Sequence, residues 1–445
     1  MNWIFDHIKQ QSATTAIIFN EKEYSYAQLY DKIEEYFQSL LSIPDGSIIS
    51  IISDYSFESI ALFFALYKKN AILVPITTKV ESAVQERVKV SNSNYKIFIN
   101  EGELKIDFIQ DTEINHDLIR KLQNIKKAGL ILFSSGSTGA PKAMIHNLDN
   151  LVDSFKGKKG KNLVFLIFLM FDHIGGLNTL LNCLSMGLTM VFPNERTPDH
   201  ICSLIQKYHV NILPASPTFL NLIVISEAYT LYDLSSLRMI TYGTEPMPES
   251  LLLKLKFIFE KVKFLQTFGT SETGISQSSS KSSTSTFLKI DDNNTEYKIV
   301  NNELWLKSKT QILGYLNSKM DRFTVDGWFK TGDMVEQGDD GYFRIIGRNS
   351  EIINVGGEKV FPNEVESILL QLPMIVDCVV FGETNQIMGQ MVVAKVLFKM
   401  EIKAAEAKKL IVSFCKDKLE RYKIPSKIII MSESEFSERF KKIRI

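Results

Sequence analysis

Between residues 26 and 41 apolar positions recur at helical spacing, and Ser25 with Gln28 makes a capping box that opens a helix there. Pro44-Asp45-Gly46 ends it. A β-rich run comes next at 47–53, then helical spacing at 57–68 and a strand-like run at 71–75. Farther on, an apolar run at 163–169 precedes a helix at 178–185 and a strand at 188–193. A helix at 198–208, a strand at 210–214, a helix at 218–226 and a strand at 237–242 continue the alternation. Short apolar strands alternating with helices predict parallel sheets covered on both faces. In such folds ligands lie beyond the carboxyl ends of the strands.

The texture then changes. Residues 276–286 are serine-rich and of low complexity, which predicts a mobile surface loop. From Asn301 onward short β-like pieces at 303–307, 327–331 and 341–346 are separated by Gly/Asp turns. A helix at 362–370, strands at 377–382 and 391–398, a helix at 404–419 and a strand at 427–431 complete a compact α+β unit. The boundary is placed near Gly347-Arg348-Asn349-Ser350, giving domains 1–347 and 348–445. The expected fold is α/β, with a large N-terminal domain of parallel or mixed sheets covered by helices and a small C-terminal domain.

Composition narrows the function classes. With 445 residues, 45% hydrophobic and 23% charged, the chain can bury a sizeable core, is expected to hold two or three domains and reads as soluble and globular. Its formal net charge of zero gives no argument for nucleic acid or an acidic membrane surface. The last 45 residues carry 12 Lys/Arg against 7 Asp/Glu, a surplus that fits either a solvated surface or an anionic ligand. Cys183, Cys202, Cys378 and Cys415 lie far apart, which argues against disulfides or a zinc site and suits a reducing compartment. The N-terminus lacks the layout of a signal peptide, and the longest apolar run, 163–171, is nine residues. A cytoplasmic protein without membrane insertion is expected.

Five stretches carry candidate chemistry. Gly129-Leu130-Ile131-Leu132-Phe133 reads as a buried strand running into Ser134-Ser135-Gly136-Ser137-Thr138-Gly139-Ala140-Pro141-Lys142. Glycines free backbone N–H groups to turn toward an anion, hydroxyls add donors for a polyphosphate, and Lys142 adds a charge. The spacing is not that of a Walker loop. Tyr242-Gly243-Thr244-Glu245-Pro246 ends a strand at a glycine where a flat ring could lie on backbone; it could equally be a plain strand-to-helix turn. Thr267-Phe268-Gly269-Thr270-Ser271-Glu272-Thr273-Gly274 sets an acid among hydroxyls, so Glu272 suits a magnesium ion beside substrate phosphates, or a capped turn. Gly327-Trp328-Phe329-Lys330-Thr331-Gly332-Asp333 puts Asp333 at a tight turn, where a carboxylate could accept both hydroxyls of a ribose. Finally, Arg348 and the pair Gly356-Gly357 flank the suspected boundary.

Taken in this order, the stretches resemble the adenylate-forming superfamily of acyl- and aryl-CoA synthetases, nonribosomal-peptide adenylation domains and luciferases, over most of the chain. The family's phosphate loop, Ser/Thr-Ser-Gly-Ser/Thr-Thr-Gly-x-Pro-Lys, is matched from Ser134 to Lys142. The resemblance implies that Ser134, Ser135, Gly136, Ser137, Thr138, Gly139 and Lys142 hold the β- and γ-phosphates of ATP. Gly243, Thr244 and Glu245 would line the adenine, with Phe268 and Gly269 near it. Ser271 would face the α-phosphate and Glu272 would hold Mg2+. Asp333 would bind the ribose with Arg348 assisting. Phe171-Asp172-His173-Ile174-Gly175-Gly176-Leu177 resembles the acyl-pocket segment, with His173 bordering the reacting carboxylate and Thr218 and Gly274 completing the pocket.

Two departures stand out. The hinge position, two residues after the arginine, is usually Asp or Lys and here is Ser350. The terminal motif Thr-x-x-Gly-Lys-x-x-Arg is met by Ser437-Glu438-Arg439-Phe440-Lys441-Lys442-Ile443-Arg444, with Phe440 in place of glycine. Spacing to Arg444 favours Lys441 as the catalytic lysine, and the following isoleucine favours Lys442. The resemblance implies a mobile C-terminal domain and a two-step ligase. A carboxylate attacks the α-phosphorus of ATP, and an acceptor then displaces AMP. The stretch from Gly356 to Glu366 looks more like acyl- or aryl-CoA ligases than amino-acid-activating domains, so CoA is the expected acceptor. An acyl carrier protein's phosphopantetheine, amide formation and a catalytically weak nucleotide-binding scaffold are the alternatives. The small carboxylic acid and the oligomeric state are not legible.

Overall fold

The structure, a computed structural model, describes residues 2–109, 116–134, 141–437 and 439–444. The phosphate-loop residues Ser135, Gly136, Ser137, Thr138 and Gly139 lie outside the described residues. Among the described residues two seven-stranded sheets make up the N-terminal half. In the first, strands Lys263–Gln266, Met239–Tyr242, Ile212–Ala215, Val164–Leu166, Thr189–Val191 and Thr15–Phe19 are parallel, and Lys22–Ser25 closes the edge as a hairpin. In the second, Gly129–Ser134, Ile72–Ile76, Ile48–Ile52 and Tyr95–Asn100 are parallel. Antiparallel Lys142–Asn147 and Gly314–Tyr315 extend one edge, and Glu103–Phe108 the other.

The helix Phe57–Lys68 shows why the two sheets sit where they do. Ser56 and Ser59 form its capping box, and every residue from Phe57 to Tyr67 except Glu58 is buried. A helix apolar all round has to be covered on all sides. Its residues share one core with Ile17 and Met190 of the first sheet and Leu73 and Leu130 of the second. The sheets thus clamp this helix, and their strand ends converge where the candidate stretches lie.

Four departures from the sequence reading have local causes. The helix expected at 178–185 begins earlier, at Ile174–Ser185, because the His173 imidazole caps it. The helix expected at 404–419 stops at Cys415. The apolar run 163–169 keeps strand pairing only over Val164–Leu166. The serine-rich tract is ordered: Ser278–Ser280 pairs with Leu288–Ile290 as the edge of a six-stranded antiparallel sheet. Its hydroxyls stitch that edge to the strand Lys263–Gln266. Ser280 Oγ accepts from Gln266 N at 2.8 Å, Ser283 Oγ accepts from Phe264 N at 3.1 Å, and Ser278 Oγ donates to Gln266 O at 2.6 Å.

The chain leaves the six-stranded sheet through strand Phe343–Arg348, and a 3-10 turn, Asn349–Glu351, leads out of it. The C-terminal unit beyond this turn builds its own core from Val380, Val392, Ala394, Val396, Ala407 and Ile411. Its five-stranded sheet joins Glu358–Val360, Ile353–Val355, Gly389–Phe398 and Ile375–Asn385, with Lys427–Ile430 parallel to Gly389–Phe398 of the long hairpin. The four cysteines are buried and unpaired. Among the described residues no helix is long and apolar enough to cross a membrane.

Candidate active site

A cavity of about 1290 Å³ opens between the large N-terminal unit and the C-terminal tail, at the carboxyl ends of the strands of the first sheet. Gly243 follows strand Met239–Tyr242 at its wall. A Cβ there would stand 2.7 Å from the carbonyl oxygen of Thr267, so only glycine lets the two neighbouring strand ends approach this closely. Thr244 follows with φ of 73°, a left-handed conformation that is an outlier for a β-branched residue. Among the described residues its hydroxyl, buried at the cavity wall, has no hydrogen-bond partner. Strain and an unpaired donor together mark a surface shaped for a ligand.

Glu245 is turned elsewhere. Its Oε1 accepts from Thr218 N at 2.8 Å, and its Oε2 accepts from the backbone N of Lys442 at 3.2 Å. Burial raises the Glu245 pKa, and these hydrogen bonds oppose the shift. Glu245 and Thr218 line a second, small cavity between the units together with Glu366 and Lys442. They hold the tail rather than the wall of the main cavity.

Phe268–Thr270 and Gly274–Ser276 form a hairpin whose tip carries Ser271 and Glu272 into the cavity. Gly269 and Gly274 permit it: a Cβ on Gly269 would meet the Gly274 carbonyl oxygen at 2.5 Å, and Gly274 has φ of 81°. Phe268 and Gly269 line the same wall, whereas Gly274 faces a small pocket behind it. Glu272 Oε1 accepts from the Tyr315 hydroxyl at 2.9 Å, and Lys142 Nζ lies 5.7 Å from the centre of the Tyr315 ring. Tyr315 therefore ties the acid to the lysine that closes the phosphate loop. Burial, with Glu272 beside it, raises the phenol's pKa and keeps it a donor. Sequence reasoning missed Tyr315; only its pairing with Met144, next to the loop, reveals it.

Asp333 and Arg348 are cross-strand partners, and Arg348 Nε donates to Asp333 Oδ1 at 3.1 Å. Asp333 is 5% exposed; burial raises its pKa while Arg348 and Arg322 oppose. Thr331, Gly332 and Arg348 reach the cavity wall in front of it.

On the opposite side His173 and Gly175 line the cavity. His173 Nδ1 accepts from Gly175 N at 3.0 Å, which places the proton of the neutral ring on Nε2. Burial, then Lys441 and Arg439, push the imidazolium pKa well down, so the ring is neutral. Phe171 is not at the wall: it is fully buried against Tyr55 and Phe63. Gly176 is behind the wall too, where a Cβ would collide with the Met170 carbonyl. Asp172, 4% exposed, takes Arg87 Nη1 at 3.1 Å and Arg439 Nη2 at 3.5 Å, so its carboxylate clamps the tail.

The two tail lysines point opposite ways. Lys442 Nζ donates to Cys378 O at 2.6 Å and ion-pairs with Glu366 at 3.4 Å and Asp377 at 3.5 Å. Burial disfavours that ammonium, but Glu366 and Asp377 raise its pKa above the usual lysine range. Lys441 instead lines the main cavity with Glu272, His173 and Arg348. Burial, then Arg348 and Arg439, lower its pKa to about 8, with Glu245 and Asp333 opposing. Ser350, in the 3-10 turn between the units, also borders the cavity.

Residues 4–316, well over half of the chain, match the family model described as AMP-binding enzyme, and residues 364–441 match the AMP-binding enzyme C-terminal domain. Indoleacetate–CoA ligase of Aromatoleum aromaticum is 25% identical over 97% of this chain and 94% of its own. The 2-succinylbenzoate–CoA ligase of Bacillus cytotoxicus is 25% identical over 97% and 95%. Among solved structures, the anthranilate CoA ligase AuaEII in complex with anthranoyl-AMP shares the fold with a TM-score of 0.83, at 20% identity, covering 98% of this chain and 95% of that one. With the family model matched over well over half of its length, the chain belongs to the AMP-binding enzymes.

Proposed function

We propose that the protein is an AMP-forming acid–CoA ligase acting on a small aromatic carboxylic acid. A carboxylate oxygen attacks the α-phosphorus of ATP, the bond to the β-phosphate breaks and pyrophosphate leaves. The CoA sulfur then attacks the acyl carbon, AMP leaves with the electrons of the C–O bond, and the thiol proton passes to solvent. The observation that carries this reading is the delivery of Lys441 by the C-terminal tail into the cavity that Glu272, Gly243 and His173 line. The relatives' aromatic acids support an aryl substrate, and so do the apolar side chains of Leu163, Phe165, Ile212 and Met239 along the cavity.

Each wall has a task in this chemistry. Gly243 and Thr244 offer a flat surface and an unpaired hydroxyl to the nucleotide. Asp333, with Arg348, is oriented behind the wall for the ribose hydroxyls. Lys142 and the loop before it hold the terminal phosphates. The neutral His173 borders the acid without adding a charge to repel ATP's counter-charges. Glu272 fits a magnesium ligand: one oxygen is fixed by Tyr315, and one or two carboxylates beside substrate phosphates are what that ion takes. When bound, the ion neutralises phosphate charge. Domains 1–347 and 348–445 would turn about Ser350 between the half-reactions, a motion that a short terminal turn can absorb.

The test is direct. With ATP, magnesium, CoA and a panel of aryl acids, pyrophosphate and an acyl-CoA thioester should form together. ATP binding without pyrophosphate release from any acid would leave only a nucleotide-binding scaffold. Pyrophosphate with adenylate but no thioester would transfer the second step to a carrier protein or an amine. Tyr315→Phe should lower kcat/KM for ATP about tenfold, the worth of one hydrogen bond to a charged group, about 1.5 kcal/mol. Initial rates of pyrophosphate release against ATP concentration measure it.

A further inference from the structure

Lys142, Glu272 and Asp333 lie far apart in the sequence, yet one short connection, residues 315–322, reaches all three. Its first residue, Tyr315, donates to Glu272. Two residues on, the Asn317 side chain brackets Lys142. Ala143 N donates to Asn317 Oδ1 at 2.9 Å, and Asn317 Nδ2 donates to Pro141 O at 2.8 Å. The backbone pairing of Gly314–Tyr315 with Lys142–Asn147 ends just before this point. A side-chain amide carries a donor and an acceptor in one plane, so Asn317 continues the ladder past the end of the strand. The backbone on either side of Lys142 is thereby fixed.

At its other end the connection grips the turn that leads to Asp333. Lys330 N donates to Arg322 O at 2.8 Å, and Arg322 Nε donates back to Lys330 O at 2.9 Å. Arg322 Nη2 donates to the next carbonyl, that of Thr331, and the guanidinium lies 4.9 Å from the centre of the Phe329 ring. Gly332 follows with φ of 72°, and a Cβ there would stand 2.9 Å from Arg322 Nη2, so glycine admits the guanidinium this close. Glu303 Oε1 accepts from Gly332 N at 2.8 Å, and Thr331 Oγ1 accepts from Asp333 N at 3.0 Å. A rigid fork across two successive carbonyls leaves such a turn little freedom. Its charge, after that of Arg348, also opposes the effect of burial on the Asp333 carboxylate. Neither Arg322 nor Asn317 lies in the five stretches that carry candidate chemistry.

Resting on the acid-ligase reading, we propose that Arg322 and Asn317 are positioning residues for the nucleotide. Arg322 sets the Asp333 turn for the ribose hydroxyls, and Asn317 sets Lys142 for the terminal phosphates. The connection between them ties both settings to Tyr315, and so to the acid that suits magnesium. The two residues therefore act on different parts of one nucleotide, and their losses carry different signatures.

The experiment measures dissociation constants for ATP, AMP and 2′,3′-dideoxyATP by calorimetry, with magnesium and without acid or CoA, the dideoxy nucleotide by competition with ATP. Arg322→Met should weaken ATP and AMP alike, about tenfold, the worth of one hydrogen bond to a charged group. It should change dideoxyATP by no more than about twofold, because that nucleotide gives Asp333 nothing to hold. Arg322→Lys, which keeps the charge and can reach one carbonyl, should recover part of the loss. Asn317→Ala should weaken ATP about tenfold and leave AMP nearly unchanged, since AMP lacks the phosphates that Lys142 meets. An Arg322→Met protein that loses dideoxyATP as much as ATP overturns the inference, because a disturbed fold or a direct phosphate contact gives that result. So does an Asn317→Ala protein that loses AMP as much as ATP, or either variant binding all three as the wild type does. If Arg322→Met does not fold, Arg322→Gln, which keeps one donor, is read by the same ratio. A wild type that binds ATP but releases no pyrophosphate with any acid fails the ligase reading instead, and the binding ratios remain a separate result.

Discussion

Replacing Lys441 with alanine should slow acid-dependent pyrophosphate release by about 10²–10³, the loss typical of removing one preorganised charge from a developing oxyanion. Thioester formation from a supplied acyl-adenylate should be spared, because the charge is needed only where phosphate oxygens gain it. Equal loss in both half-reactions would sink the assignment. The pH profile adds a second reading. With its pKa held near 8 by burial and by Arg348 and Arg439, Lys441 is cationic below that pH and loses its proton as pH rises through it. Adenylation should therefore decline on the alkaline side, and Lys441→Arg, whose guanidinium stays charged, should flatten that limb. Lys442→Ala should behave differently. It leaves Glu366 to Arg444 but removes the ammonium from buried Asp377, so the loss should appear in thermal stability, at most of the order of the 3–5 kcal/mol seen when a buried pair is broken.

The contrast between these lysines shows where the sequence stops informing. Spacing to Arg444 and the identity of the next residue pull in opposite directions, since both are one-dimensional cues. The distinction is three-dimensional: a β-bridge between Phe436 and Lys442 sets alternate residues to opposite sides, one to the cavity and one to the acids of the small unit. Alternating strands and helices are legible because parallel sheets impose apolar runs of fixed length, and the candidate stretches are legible because glycines and hydroxyls have to follow those strands. A strand-end motif makes Glu245 look as if it faces the nucleotide. Its carboxylate is claimed by two backbone amides that no local pattern announces. Tyr315 is invisible for a similar reason, being 43 residues from the acid it holds. The serine tract misleads because low complexity mimics a loop, whereas here the hydroxyls substitute for missing ladder bonds between two sheets.

Phe440→Gly should separate the half-reactions in the same direction as Lys441→Ala, by a smaller factor. A glycine is what the terminal motif leads one to expect at this position, and Phe440 has φ of 51°, in the region glycine favours. A left-handed residue with a side chain costs about 1–2 kcal/mol, so something has to hold it there. The ring is that restraint: it lies 5.2 Å from both Phe168 and Phe219 of the large unit and stacks at 5.4 Å on Phe436 of the tail. The tail is thereby pinned to the large unit by Phe440, by Arg439 on Asp172 and by Lys442 N on Glu245, with Lys441 held at the cavity between them. Glycine relieves the backbone strain but removes the ring, half-buried against Phe168 and Phe219, together with its aromatic contacts. The balance favours release of the tail, and adenylation should fall about tenfold while thioester formation from supplied adenylate holds or quickens. Phe440→Ala keeps part of the strain and loses the ring, so it should fall further in adenylation than Phe440→Gly. If Phe440→Gly instead adenylates as fast as the wild type, the aromatic contact does not set the position of the tail, and the ion pair between Arg439 and Asp172 and the hydrogen bond from Lys442 N to Glu245 carry that task.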